Sequence, residues 1–588
     1  MRRRSLWLVA CSLWLAGNGF PQATGHQPQA DVLLRAMQDE LERSRVLRVI
    51  EIPYYIEYAL DEAENVTASA TLGALLSARQ SRFRIPRIQV RVGDYSSDNT
   101  NYVGTDFYSG TRYEVEQFPL DNSYAALRHH LWLATDTAYK AAVEAFGRKR
   151  AVLRSITAGE QLPDFWKAPP LERIAEARTL SVDESAWRAR VRRLSALFAG
   201  YPKVIGSVVD YSATWGTQYL VTSEGTRVRE PASMMYLRVR AVSQAPDGMM
   251  LRDAAVFHTL DFSRAPAEVE LERSVRRMAE NLTALAAAPR GETYAGPVLF
   301  EGEAAAQVFA EVLGRNLAAL RRPVMPPGRS FPFRSSELEA RFGVRILPEW
   351  MDVVDDPTQT EWRGRPLFGY YRVDLEGVTP GPLALVEKGV LKAFLLTRQP
   401  VKGFQVSNGR ARLPGSFGAK AAGFGNLFVK ASQAAPLAEL KKKLVELCRE
   451  RNKPYAVIVR KMEFPSSASL EEARRLLAGA QSGGGGQAIS LPVLVYRLYP
   501  DGKEELVRGL RFRGLTTRSL KDMLAASEEL HVFDYLENGA PFALMGAASF
   551  VAESSVIAPS VLIDDLEMER VEEELTKPPM APPPPLTP

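Results

Sequence analysis

The pair Lys388-Gly389 is set between two apolar runs, Leu383 to Val386 and Val390 to Leu396, and constrains the fold more than any other stretch. A two-residue turn ending in glycine between runs of strand-forming residues predicts a tight antiparallel hairpin. Downstream, Ser407-Asn408-Gly409-Arg410 breaks the pattern with residues that tolerate positive φ. This break is expected to free backbone amides and a guanidinium for a ligand or a partner strand.

Together with Asp355-Asp356-Pro357 and Asp374-Leu375-Glu376-Gly377-Val378 upstream, the segment Val386 to Lys430 resembles the TldD/PmbA family of metallopeptidases and their metal-free relatives. Tyr294 to Leu299 is similar to the strand that leads into that family's metal-site helix, and Pro559 to Leu566 to its final strand. The resemblance is specific from about residue 290 to 570 and more general from 30 to 290, where Ile88 to Gly93 and the hairpin Leu220 to Val228 suit the family. It implies an α+β fold: a mixed N-terminal region, then a largely antiparallel β C-terminal domain, associating as a dimer. It also implies a peptide-holding cleft, with Asn408, Gly409, Arg410 and Asn426 as the candidate peptide-binding residues.

A chain of 588 residues is too long for one hydrophobic core, so two or three domains are expected. Pro289-Arg290-Gly291 is the internal boundary, dividing a region 26–290 from a β-rich domain 291–575. Basic and acidic side chains, 74 and 69, are interspersed, and no basic patch marks a nucleic-acid surface. The run Lys441-Lys442-Lys443 reads as the solvated face of a helix.

At the amino terminus Arg2 to Arg4 precede the apolar core Leu6 to Ala16, too short to span a bilayer. Residues 1–25 therefore read as a signal peptide, and the mature chain as exported, periplasmic or secreted. Leu8-Val9-Ala10-Cys11 also fits a lipoprotein box, the lesser alternative because few apolar residues precede it. Without the leader only Cys448 remains, so no intramolecular disulfide is expected. The tail 576–588 is proline-rich and expected to be disordered.

Periodicity predicts helices over Asp31–Arg48 (stopped by Pro53), Asp121–Arg154, Asp183–Leu197 and Leu271–Ala288. Beyond the boundary, helices are expected at 303–321, 436–449 and 469–478, and a flexible loop at Ser482 to Gly486. Tyr54, Ile56, Tyr58 and Leu60 alternate onto one strand face, as do Ile88, Val90 and Val92, so a sheet with one covered and one wet face is expected. Strands over Lys203–Ser212, Thr217–Thr222, Thr226–Glu230 and Met234–Val242 continue an antiparallel meander. Phe165 and Trp166, in a proline-rich loop, are expected to pack against the domain. His129 and His130, neighbours on a helix, point about 100° apart and cannot share a metal.

The resemblance also says which chemistry to look for. Family members that hydrolyse peptides carry His-Glu-x-x-x-His on a helix and a distant cysteine as the third zinc ligand, with the glutamate as general base. Here the corresponding stretch, with the glutamate kept in register, is Ala310-Glu311-Val312-Leu313-Gly314-Arg315. Both histidines are replaced, by Ala310 and Arg315, and the cysteine position falls on Met545, a poor zinc ligand. Glu311 is left as the remnant of a catalytic base, and a lone carboxylate does not generate hydroxide at neutral pH. Arg315 is placed to pair with it. Two functions follow: a metal-free, peptide-binding partner subunit, as homodimer or beside a metal-competent relative, or an active metallopeptidase whose zinc ligands lie at unmatched positions.

Overall fold

The computed structural model describes residues 31–46, 50–104, 111–113, 118–155, 162–176, 180–329, 335–415, 417–465, 489–538 and 551–572, with a few isolated positions besides. The leader with Cys11, the helix at 469–478, the glycine loop 482–486, Met545 and most of the tail lie outside them.

The N-terminal region is built on one strongly hydrogen-bonded meander. Strands β1 (Pro53–Thr71), β2 (Ala74–Val92), β3 (Val204–Thr222), β4 (Arg227–Gln244) and β5 (Met250–Thr259) pair antiparallel in the order β2-β1-β3-β4-β5. Each pair of strands read from the sequence after Lys203 is one long strand, because the breaks at Ala213–Gly216 and Pro231–Ser233 stay in register with their neighbours. One sheet face carries two apolar clusters. Ile56, Tyr58, Leu60, Ile88 and Val90 pack under α1 (Val32–Ser44) and α2 (Tyr124–Ser155). Val66, Ala68, Val209, Leu237 and Val239 pack under α3 (Glu184–Ala196) and α4 (Glu268–Ala287).

Two helix starts rest on local chemistry: the side chains of Asp31 and Asp183 accept hydrogen bonds from Leu34 N and Ala186 N, satisfying amides that have no partner inside the helix. The first helix stops at Ser44, short of the expected Arg48, since its apolar buried stripe ends at Leu41 and Val46 is exposed. Pro53 opens β1 instead of ending a helix.

The face expected to be wet is polar but covered. Glu57 on β1 meets Lys420 at 2.9 Å, and Gln89 and Arg91 on β2 both donate to Gly418 O, at 2.6 and 2.9 Å. This side docks on the C-terminal domain. The Phe165 ring lies between the guanidinium groups of Arg91 and Arg398, whose centres stand 3.7 and 3.9 Å from its centroid. Trp166 binds Arg398 through its backbone carbonyl and N–H, so the proline-rich loop is an inter-region wedge.

After α4 the chain enters a mixed, mainly antiparallel sheet. Its strands are β6 (Tyr294–Phe300), β7 (Met351–Asp355), β8 (Leu383–Glu387), β9 (Asn426–Ala431), β10 (Ala456–Met462), β11 (Pro492–Leu498), β12 (Met523–Asn538) and β13 (Val551–Arg570). The order is β8-β7-β9-β13-β6-β10-β11, with β12 also paired to β13. The anticipated hairpin closes β8 through Lys388 and Gly389, at φ of 47° and 74°. α5 (Glu303–Val308) follows β6, and α6 (Leu437–Glu450) covers Leu299, Ile458 and Leu562. Cys448 is buried there, donating to Lys453 O.

Candidate functional site

The helix that would carry the metal motif begins as α5, loosens into a π turn over Phe309–Leu313 and ends with a 3-10 turn at Gly314–Asn316. It does not reach 321, because Ala318 bridges Leu395 and draws the chain into extended form. π turns often sit at functional positions in helices, and here the turn holds Glu311.

Glu311 is 4% exposed. Its carboxylate accepts from Ser490 N at 3.1 Å and Ser490 Oγ at 3.0 Å, and from Arg315 Nη1 at 3.3 Å. Burial raises its pKa, and the Arg315 charge and the Ser490 bonds pull it back only in part. Arg315 also faces Glu537 at 3.9 Å and lies 5.6 Å from the Phe464 ring. A guanidinium therefore stands where the motif calls for an imidazole, and Ala310 is fully buried among apolar side chains. These residues do not fit a zinc ion: a fixed cation already neutralises the carboxylate. Among the described residues no group of three or more His, Cys, Asp or Glu side chains is placed to hold a metal.

The residues expected to contact a peptide are engaged within the chain, which corrects the reading of Ser407–Arg410 as an open recognition loop. Arg410 is 1% exposed; its Nε donates to Asp355 Oδ2 at 2.9 Å, and its Nη2 to Gly381 O at 2.6 Å and Asp355 O at 3.2 Å. Asn408 ties down the segment Phe394–Leu396, accepting from Leu396 N and donating to Phe394 O. Gly409, at φ 75°, accepts from the Tyr371 hydroxyl, and Asn426 binds Gly369 N, Asp356 O and Gln359 O. Asp374 closes the same knot by accepting from Glu376 N, Val378 N and Ala411 N. Burial lifts Asp374 to about 6 and Glu376 to about 7. The sequence blocks that carry the resemblance thus lock loops together.

The open chemistry lies elsewhere, in a cleft of about 620 Å³ between the two halves of the molecule. One wall is β5, an edge strand with no neighbour on its outer side among the described residues. Ala254 N–H is not used by the sheet and donates to Asp253 Oδ1 at 2.8 Å. By the two-residue period of a strand, Val256 and His258 turn their amides the same way. The facing wall comes from α5, the end of β10 and β12, through Gln307, Phe464, His531 and Phe533. His531 is depressed to about 4, chiefly by burial and then by the Arg365 charge, so it is neutral at physiological pH.

At one end of the cleft Lys461 Nζ meets Asp253 Oδ1 at 2.7 Å, and Gln307 Nε2 donates to Glu303 Oε1 at 3.0 Å. Burial raises the Glu303 carboxyl, with Lys461 opposing. A second cavity of about 430 Å³ continues past Arg264 and Pro366, which line both, toward Tyr370, Tyr371 and Arg412. The sequence reading missed Asp253, Glu303, Gln307 and Lys461. The Glu303–Gln307 pair, one turn apart just after a buried strand, was the available signal.

The central part, residues 163–287, matches the model of the PmbA/TldA metallopeptidase central domain, and residues 292–448 match that of the C-terminal domain. The chain belongs to the TldD/PmbA family. A metalloprotease of Methanothermobacter thermautotrophicus is 26% identical over 196 residues, 33% of this chain and 40% of that one. One of Archaeoglobus fulgidus is 36% identical over 78 residues, 13% of this chain and 17% of its own. The matched stretch is thus less than half the length of either curated relative. TldE of Thermococcus kodakarensis shares the fold with a TM-score of 0.55 at 13% identity, over 91% of this chain and all of that one. A proposed modulator of a DNA gyrase from Thermotoga maritima does so at 0.53 and 14%, over 87% and 96%. The two family models abut across Ala288–Gly291, where α4 has ended and β6 has not begun.

Proposed function

We propose that this TldD/PmbA-family chain is an exported, non-catalytic member that holds an extended peptide in its inter-region cleft and works as a dimer or beside a metal-competent relative. The observation that carries the reading is the Glu311–Arg315 pair, a buried carboxylate matched to an arginine where a zinc ligand is required. The peptide arm rests on β5, an edge strand among the described residues, whose outer side offers backbone donors and acceptors without demanding a particular side-chain sequence. On this reading the groove runs along β5 rather than along Ser407–Arg410. Export rests on the basic and apolar leader, Arg2 to Ala16.

Elemental analysis of the purified mature protein is the decisive experiment: no stoichiometric zinc and no peptide cleavage are expected. About one zinc per chain, with proteolysis lost on chelation, overturns the reading in favour of an active metallopeptidase. Intact mass from a secreting host should show a new amino terminus between about Ala16 and Gln27; a retained Met1 removes the export arm, and a diacylated Cys11 replaces it with membrane anchoring.

A further inference from the structure

We propose that the polar end of the cleft is a subsite for a primary ammonium group, supplied by a peptide's free amino terminus or by a lysine side chain; this rests on the peptide reading above and deepens it. The Asp253 side chain is 1% exposed, and its Oδ1 takes both Lys461 Nζ and Ala254 N–H. Asp253 lines the cleft, and its Oδ2 is buried with no hydrogen-bond partner among the described residues. Glu303 stands on the facing wall, at the start of α5, and among the described residues its carboxylate takes a hydrogen bond from Gln307 alone. That amide has no freedom to rearrange, because its oxygen accepts from Met462 N at 2.8 Å.

The cluster therefore has acceptor capacity left over, since among the described residues no donor reaches Asp253 Oδ2, in a site where an unmet carboxylate oxygen is costly. Lys461, and Arg277 through space, offset the charge without supplying that donor. The complement is a compact group that only donates and carries positive charge; an ammonium with its three N–H bonds has this form. A divalent metal is a poor occupant, since the Lys461 charge, paired with Asp253, already acts on both carboxylates and no third acidic or imidazole ligand joins them among the described residues. The position suits a chain end: a strand added to β5 beside Val256 meets at Ala254 an amide already given to Asp253 Oδ1, so its pairing is interrupted next to the cluster.

The test is calorimetric titration of the full mature protein with leucyl-leucinamide, its N-acetylated form and N-acetyl-lysinamide. The free amine should bind at least tenfold tighter than the acetylated dipeptide, and Glu303→Gln should erase that preference with the melting temperature unchanged. Asp253→Asn should do the same; if it destabilises the fold by stranding Lys461, the isosteric Glu303 variant carries the result. Binding of N-acetyl-lysinamide as tight as the free dipeptide assigns the subsite to lysine side chains, and weaker binding to amino termini. Equal binding of the free and acetylated dipeptides, no binding of either, or an undiminished preference in Glu303→Gln overturns the proposal. Longer peptides methylated at alternate backbone nitrogens separate the two readings: unchanged affinity with the amine preference intact sinks strand addition and leaves the subsite standing.

Discussion

Replacing Arg315 by methionine isolates the charge that stands in for the metal site. The variant keeps most of the packing against Phe464 but leaves Glu311, 4% exposed, with Ser490 as its one hydrogen-bond donor among the described residues. Breaking a fully buried pair costs about 3–5 kcal/mol. Arg315 is 18% exposed and its contact is 3.3 Å, and both Ser490 bonds survive, so the loss should fall to roughly 2–3 kcal/mol. Spread over a domain of some 280 residues, that is a fall in Tm of about 3–5 °C. The pH dependence gives the sharper test. The folded-state pKa of Glu311 already lies above its unfolded value through burial, and removing Arg315 raises it further. A carboxyl shifted upward favours the fold only while protonated in both states, and that advantage disappears as pH rises through the folded value. The variant should therefore suffer its full loss above that raised pKa and approach the parent as pH falls through it toward the ordinary carboxylate range. Glu311→Gln added to Arg315→Met should recover most of the stability at neutral pH. Differential scanning fluorimetry of the three proteins from pH 4 to 8 measures this; a deficit equal at both ends, or no recovery in the double variant, would falsify the electrostatic account and leave a packing defect.

Gly409→Val should impair folding rather than peptide binding alone: a Cβ there meets Pro380 Cα and N at 2.9 Å with φ at 75°, and soluble yield with a Tm close to the parent's would contradict this. Phe165→Ala should cost about 3–5 kcal/mol, visible as earlier loss of the tryptophan signal in urea, since its ring separates two guanidinium groups that would otherwise repel across a void. Cys448 should resist alkylation under native conditions and react on denaturation, because it is buried, with its thiol pKa raised by desolvation; rapid labelling of the folded protein would contradict its placement.

What the sequence by itself determined are features whose cause lies within a few residues. Lys388-Gly389 turns because glycine accepts positive φ, Asp31 and Asp183 start helices because their carboxylates reach amides three residues on, and Ile88, Val90 and Val92 share a face because strands alternate. The loss of histidine at 310 and 315 was legible for the same reason, since one motif on one helix needs no tertiary information. Only the tertiary structure decided the rest. Arg410 looked available, but its partner is Asp355, 55 residues away; Gln89 and Arg91 looked wet, but their acceptor is Gly418, more than 300 residues on. Alternation shows which face of a strand is polar and not whether water or another domain satisfies it. The cleft draws Asp253, Glu303, Lys461 and His531 from four elements far apart in the chain, and no local propensity encodes their meeting. It arises because β5, with no outer neighbour among the described residues, lies at the edge of one sheet where α5, β10 and β12 of the other region converge.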